Sequence, residues 1–116
     1  MAMTYPTGHI LETVEEFAVV DQSAVLGYLT TRQELVPYLA QIVHHARSIY
    51  GEDTTVSLRR DWDPDSDTDL EYLIAGVRTT LSPSDAYQLL SRLREDWWFS
   101  VPKEVENQIL VVNEFE

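Results

Sequence analysis

The chain has 116 residues, 44% of them hydrophobic, and its 20 acidic and 8 basic residues give a formal net charge of −12. This length suits one domain with a single core, and the excess of carboxylates opposes binding to nucleic acid or to an anionic membrane, because phosphate contacts require Lys or Arg. The lack of cysteine excludes disulfides, thiolate metal sites and cysteine nucleophiles. The N-terminus lacks the basic start and apolar stretch of a signal peptide, so we expect a cytoplasmic protein.

The N-terminal part of the expected single domain, residues 1–116, is weakly patterned. Residues 1–11 contain a proline and a glycine and little periodicity, which predicts a loose arm. Residues 13–20 read T-V-E-E-F-A-V-V, which fits either a short strand or the lead into a helix. Residues 21–23 are typical of a helix cap, and they predict a brief helix over residues 24–29.

A longer helix is predicted next. Thr31-Arg32-Gln33-Glu34 fits a capping box, in which the Thr hydroxyl and the Glu carboxylate each accept from a backbone amide. Pro37 lies beyond the first turn of such a helix, so the helix either starts nearer Leu35 or bends. Gly51 is a suitable end. Apolar residues recur at spacings of three and four, which indicates one buried stripe: Leu35, Leu39, Ile42, Val43, Ala46 and Ile49.

Two β-like segments, residues 54–62 and 70–80, predict a hairpin joined by a turn over residues 63–68. One register brings the apolar side chains to one face and adds a cross-strand ion pair. It pairs Trp62 with Asp69, Arg60 with Glu71, Leu58 with Leu73, and Val56 with Ala75.

The C-terminal part predicts a helix and a strand. Ser82-Pro83-Ser84-Asp85 is a strong helix start, because Ser82 can cap and Pro83 needs no amide partner in the first turn. Residues 108–115 read as a strand, and a strand–helix–strand link makes it a parallel neighbour of the hairpin. The predicted fold class is α+β: a three- or four-stranded sheet with a β-hairpin and a β-α-β link, and helices packed on one face.

The turn of the hairpin is rich in acids. Aspartates occupy every second position: Asp61, Asp63, Asp65, Asp67 and Asp69. Such a run is solvated, binds a cation, contacts a basic partner or mimics nucleic acid. Its start resembles a calcium loop, but the sixth position is Ser66 rather than Gly and the twelfth is Tyr72 rather than Glu. Asp61, Asp63 and Asp65 are therefore only weak metal candidates.

Other chemical signals are sparse. The segment Trp97-Trp98-Phe99 at the end of a helix predicts a plug for the core, although a partly exposed Trp98 would suit a partner contact. No serine has a nucleophile-elbow context, and no glycine-rich loop could cradle a phosphate. We therefore expect a non-enzymatic protein without a cofactor. The enzymatic alternative is a small hydrolase, which would require two carboxylates to meet in an apolar cleft.

Several of these segments resemble a group of small acidic bacterial proteins of no established function. The resemblance covers most of residues 20–116, and its best marker is the cap Ser82-Pro83 followed by the pair Trp97-Trp98. It implies a bacterial, cytoplasmic, stand-alone domain. It implies no catalytic or binding residues.

The sequence therefore predicts an acidic interaction protein, antitoxin-like or an adaptor, that binds a basic protein. The contact candidates are Asp61, Asp63, Asp65, Asp67, Asp69 and Trp98. The alternative is a domain that binds a divalent cation through the turn over residues 61–69. The identity of the partner and the oligomeric state stay open.

Overall fold

The computed structural model describes residues 7–62 and 71–116, and side chains from Ile10 onward. The helices in these ranges are α1 (Thr7–Glu15), α2 (Gln22–Thr30), α3 (Val36–Tyr50), α4 (Pro83–Asp96) and α5 (Lys103–Glu106). Single 3₁₀ turns span Gln33–Leu35 and Trp98–Ser100. The strands are β1 (Ala18–Val19), β2 (Val56–Trp62), β3 (Glu71–Thr79) and β4 (Ile109–Phe115).

The four strands form one sheet in the order β1-β2-β3-β4. Strands β2 and β3 are an antiparallel hairpin, while β1 is parallel to β2 and β4 is parallel to β3. The link from β3 through α4 to β4 is the predicted β-α-β unit. The predicted α+β class is therefore confirmed.

The helices pack on one face of the sheet, as predicted. Every strand residue in the buried core lies on that face: Val56, Leu58, Leu73, Ala75, Val77, Ile109 and Val111. The helices close over these residues with apolar side chains that include Val25, Leu39, Ile42 and Leu93, each fully buried. Burial of such side chains is the main stabilising term of a small domain. We call the other side of the sheet the second face.

The first helix begins inside the segment for which the sequence predicted a loose arm. Helix α1 begins at Thr7, and Ile10 and Val14 are 3% and 1% exposed in the core. The prediction of a loose arm is therefore wrong for residues 7–11, because an apolar spacing of four was overlooked there; residues 1–6 lie outside the described residues. Residues 13–20 combine both expected alternatives, since they finish α1 and then form β1.

The start of α3 differs from the predicted capping box. The Thr31 hydroxyl donates to the carbonyl oxygen of Tyr28 at 3.2 Å, and no side chain caps the 3₁₀ turn that follows. Helix α3 begins at Val36, so Pro37 lies in the first turn, where the missing amide costs nothing. Gly51 ends α3 as predicted, with φ 134°, a conformation that other residues rarely adopt.

The hairpin forms, but its predicted register is wrong by two residues. Trp62 pairs with Glu71, Arg60 with Leu73, Leu58 with Ala75, and Val56 with Val77. Because the shift is even, each side chain keeps its predicted face. The observed register adds Val77 to the buried pairs, and it leaves residues 63–70 between the strands.

The C-terminal elements follow the prediction closely. The Ser82 hydroxyl accepts from the Asp85 amide at 3.2 Å, and Pro83 opens α4. Strand β4 begins one residue later than predicted, at Ile109. Among the described residues, no helix combines the length and apolar character that a membrane crossing requires.

Candidate functional site

The end of the hairpin combines an exposed aromatic side chain with charged ones. We call Arg60, Asp61, Trp62 and Glu71 the hairpin end. Trp62 is the last residue of β2, and its side chain is 51% exposed. A large apolar group left in water at a strand end is available to a partner.

Two polar side-chain contacts lie at the hairpin end, one between the strands and one to the backbone of β2. The Arg60 guanidinium lies 2.9 Å from the Glu71 carboxylate, a diagonal pair that joins β2 to β3. Both side chains are more than one-third exposed, so the pair adds little to stability. An oxygen of Asp61 accepts from the Trp62 amide at 2.8 Å, which fixes the last peptide of β2.

Helix α2 supports the hairpin end from the side. The Tyr28 hydroxyl donates to the Glu71 carbonyl oxygen at 3.3 Å, and the Arg32 guanidinium lies 4.0 Å above the Tyr28 ring. Burial raises the pKa of Tyr28, so its hydroxyl stays protonated and remains a donor. The start of β3 is therefore anchored to α2.

A shallow cleft of about 470 Å³ lies beside these contacts. Its charged lining consists of Asp21, Arg32, Arg60 and Glu71. Arg60 is paired with Glu71, and Arg32 donates to the Thr31 hydroxyl at 3.0 Å. The two arginines and the two acids balance, so the lining favours neither an anion nor a cation.

Two of the six predicted contact residues, Asp61 and Trp98, lie among the described residues, and they differ in exposure. Asp61 is half-buried at the hairpin end. Asp63, Asp65, Asp67 and Asp69 lie outside the described residues. Trp98 is 4% exposed and belongs to the core, so it offers no surface to a partner and is withdrawn as a contact candidate. The predicted core plug therefore holds for Trp98 and in part for Trp97, but it is wrong for Phe99, which is 61% exposed.

Sequence reasoning overlooked Trp62 as a contact residue. The available signal was its position in the sequence, since it ends a predicted strand and stands next to the acidic run.

Of the three weak metal candidates, Asp61 lies among the described residues, whereas Asp63 and Asp65 lie outside them. Across residues 7–62 and 71–116, no group of three or more His, Cys, Asp or Glu residues could hold a metal ion. His45 stacks on Trp97, with 4.3 Å between ring centroids, and burial lowers its pKa, so packing accounts for this histidine.

A second polar cluster lies on the second face of the sheet. The Ser57 hydroxyl donates to the Glu114 carboxylate, and Arg78 lies 2.9 Å from the other Glu114 oxygen. The hydrogen bond from Ser57, and then Arg78, lower the pKa of Glu114 despite some desolvation. Both oxygens of this carboxylate are occupied, so it is a poor general base. The cluster links β2 to β4 across β3.

Comparisons of the chain with protein-family models, with curated proteins and with solved structures found no match.

Proposed function

We propose that this protein is a non-enzymatic interaction protein that binds a basic partner protein through the hairpin end, in the manner of an antitoxin or an adaptor. The observation that carries the proposal is the exposed side chain of Trp62, 51% accessible, beside Asp61. Tryptophan is enriched among the residues that dominate binding energy at protein interfaces.

Charge supports a basic partner. The chain carries a net charge of −12, and four further aspartates occupy the positions between Trp62 and Glu71. A surface of one sign accelerates encounter with a partner of the opposite sign, and salt weakens this effect over a screening length of about 8 Å at physiological ionic strength. Trp62 would then provide the apolar contact once the acids have guided the partner into place.

The environment of the protein belongs to the same proposal. The resemblance of the Ser82-Pro83 cap and the Trp97-Trp98 pair to small acidic bacterial proteins favours a bacterial and cytoplasmic setting. A basic protein encoded near this chain in the genome is the partner to examine first.

Capture from the source cell tests the proposal. The tagged chain should retain a basic protein at low salt, and a variant with Asp61, Asp63, Asp65, Asp67 and Asp69 changed to Asn should lose it. The matched control also removes five negative charges, all from exposed acids outside the acidic run: Glu12→Gln, Glu15→Gln, Glu16→Gln, Glu52→Gln and Asp53→Asn. Equal capture by both variants would show that the acidic run is not the contact.

The aromatic contact has its own control. Trp62→Ala should weaken binding of the captured protein by at least about tenfold, since anchor residues contribute 2 kcal/mol or more. Tyr87→Ala removes another aromatic ring, 66% exposed on α4, and should leave binding unchanged. The affinities can be compared by calorimetry.

A further inference from the structure

Two rows of side chains cross the second face of the sheet. In the first row Arg59 lies beside Ile74, and Ile74 lies beside Leu110. No residue of either row packs into the hydrophobic cluster between the sheet and the helices. The next row on this face consists of Ala18, Ser57, Gly76 and Val112.

Val20 continues the first row beyond β1. Its amide donates to the Leu58 carbonyl oxygen at 3.0 Å, and Val19 before it packs against the core, so the Val20 side chain lies on the second face. The row therefore ends in an exposed apolar side chain on each side, since Val20 is 55% and Leu110 46% exposed. Ile74 between them is only 7% exposed, so the contacts available to another molecule lie at the two ends of the row.

The strand residues of the second face are electrically balanced. They include two arginines, Arg59 and Arg78, and two acids, Asp61 and Glu114. The net charge of −12 is therefore carried by the rest of the chain. Two copies of such a chain repel each other wherever acids meet acids, and this face is a surface on which they do not. A basic partner protein would gain little here, because the charges already balance.

We propose that the second face is a contact surface for a second copy of this chain, with the two sheets packed face to face. A two-fold contact uses the same patch on both copies, so the patch must complement itself. A two-fold axis that runs along the strands between β2 and β3 exchanges β1 with β4. Val20 of each copy then meets Leu110 of the other, and Ala18 meets Val112. Because the axis follows the strands, both hairpin ends lie at the same end of the dimer.

The size of the face predicts a weak dimer. Neighbouring strands lie about 4.8 Å apart and rise about 3.3 Å per residue, so four strands of about seven residues cover at most about 19 Å by 23 Å. Two such faces bury at most about 900 Å², which is the range of transient complexes. We therefore expect a dissociation constant of about 10–100 μM.

Sedimentation equilibrium of the purified chain between about 1 μM and 1 mM tests the proposal. The chain should change from monomer to dimer within this range. The dimer should be tighter at about 0.5 M salt than at about 0.05 M, because salt screens the repulsion between two copies of charge −12. Capture of a basic partner through the hairpin end should weaken with salt, so the two proposals can fail separately.

Variants at the two ends of the first row isolate the contact. Leu110→Asp and Val20→Lys each place a charge against an apolar side chain of the other copy, so each should weaken self-association at least about tenfold. The matched controls Tyr87→Asp and Tyr87→Lys add the same charges at a ring that is 66% exposed on α4, and they should leave it unchanged. Val20 lies outside the strands, so its variant is informative even if Leu110→Asp disturbs the folding of β4.

An equal mixture of the two variants tests the two-fold axis. In a mixed dimer, the carboxylate introduced by Leu110→Asp meets the ammonium introduced by Val20→Lys, while the second contact between Val20 and Leu110 is intact. The mixture should therefore dimerise at least about tenfold more tightly than either variant alone.

Three results would overturn the contact between copies. The first is an unmodified chain that stays monomeric at about 1 mM. The second is self-association of Leu110→Asp and Val20→Lys that equals that of the Tyr87 controls. The third is a mixture that dimerises no more tightly than its components, which would exclude the two-fold arrangement.

Discussion

Gly76 is the residue whose identity the second face of the sheet requires. A β-carbon at this position would lie 2.6 Å from a Glu114 carboxylate oxygen and 2.7 Å from the Ser57 hydroxyl oxygen. The link from Ser57 through Glu114 to Arg78 therefore passes directly over Gly76. A side chain here would displace the carboxylate and loosen the connection between β2 and β4.

We therefore expect Gly76→Ala to lower the free energy of unfolding by about 1–3 kcal/mol, the usual cost of overpacking. Gly27→Ala is the matched control, because its β-carbon would meet nothing within 4 Å in the interior of α2. Alanine there should raise the free energy of unfolding by about 0.5–1 kcal/mol. Urea unfolding measures both, and a Gly76→Ala variant as stable as the unmodified chain would contradict the clash.

The two tryptophans show what a sequence cannot decide at the scale of one residue. Trp98 follows a helix and Trp62 ends a strand, and both stand near charged residues. Trp98 is 4% exposed and packs in the core, whereas Trp62 at the end of β2 is 51% exposed. Exposure depends on where neighbouring elements end, and local sequence carries little of that information.

At the scale of the element, strong local signals predicted the structure and weak ones did not. The Ser82-Pro83 start of α4 forms as expected, since its capping contacts are all local. The capping box at Thr31 fails because Pro37 fits only the first turn of a helix, which moves the start of α3 to Val36. The predicted hairpin register was wrong by two residues because two registers that differ by two residues place the same side chains on the same faces. Only the pairing of Val77 with Val56 in the buried face distinguishes the observed register from the predicted one.

The cap of α4 gives a direct test at this scale. Ser82→Ala removes the acceptor of the Asp85 amide and should lower the free energy of unfolding by about 1 kcal/mol. Ser84→Ala changes an exposed serine two positions away, inside the helix, and should change stability by less than about 0.5 kcal/mol. Equal losses for the two variants, measured by thermal or urea unfolding, would show that the hydroxyl of Ser82 does not cap the helix.

At the scale of the whole molecule, the apolar pattern of the sequence determines the fold, whereas the charge bears on which partner the protein binds. The described residues close one core on one face of the sheet, and this core was largely predictable from the apolar stripes. No Asp or Glu among the described residues is buried in that core, and most of the run that motivated the functional hypothesis, residues 63–70, lies outside the described residues. The sequence could name these acids as a surface feature, but their partner depends on a second molecule.

The rate of association with the captured partner tests the central claim most directly. Stopped-flow measurements should give a rate constant for the unmodified chain that falls steeply with added salt. The five-Asn variant should associate at least about tenfold more slowly at low salt and depend less on salt, whereas the control with five neutralised acids elsewhere should stay close to the unmodified chain. Equal rates for the five-Asn variant and the unmodified chain at low salt would contradict the proposal that the acidic run guides a basic partner to the hairpin end.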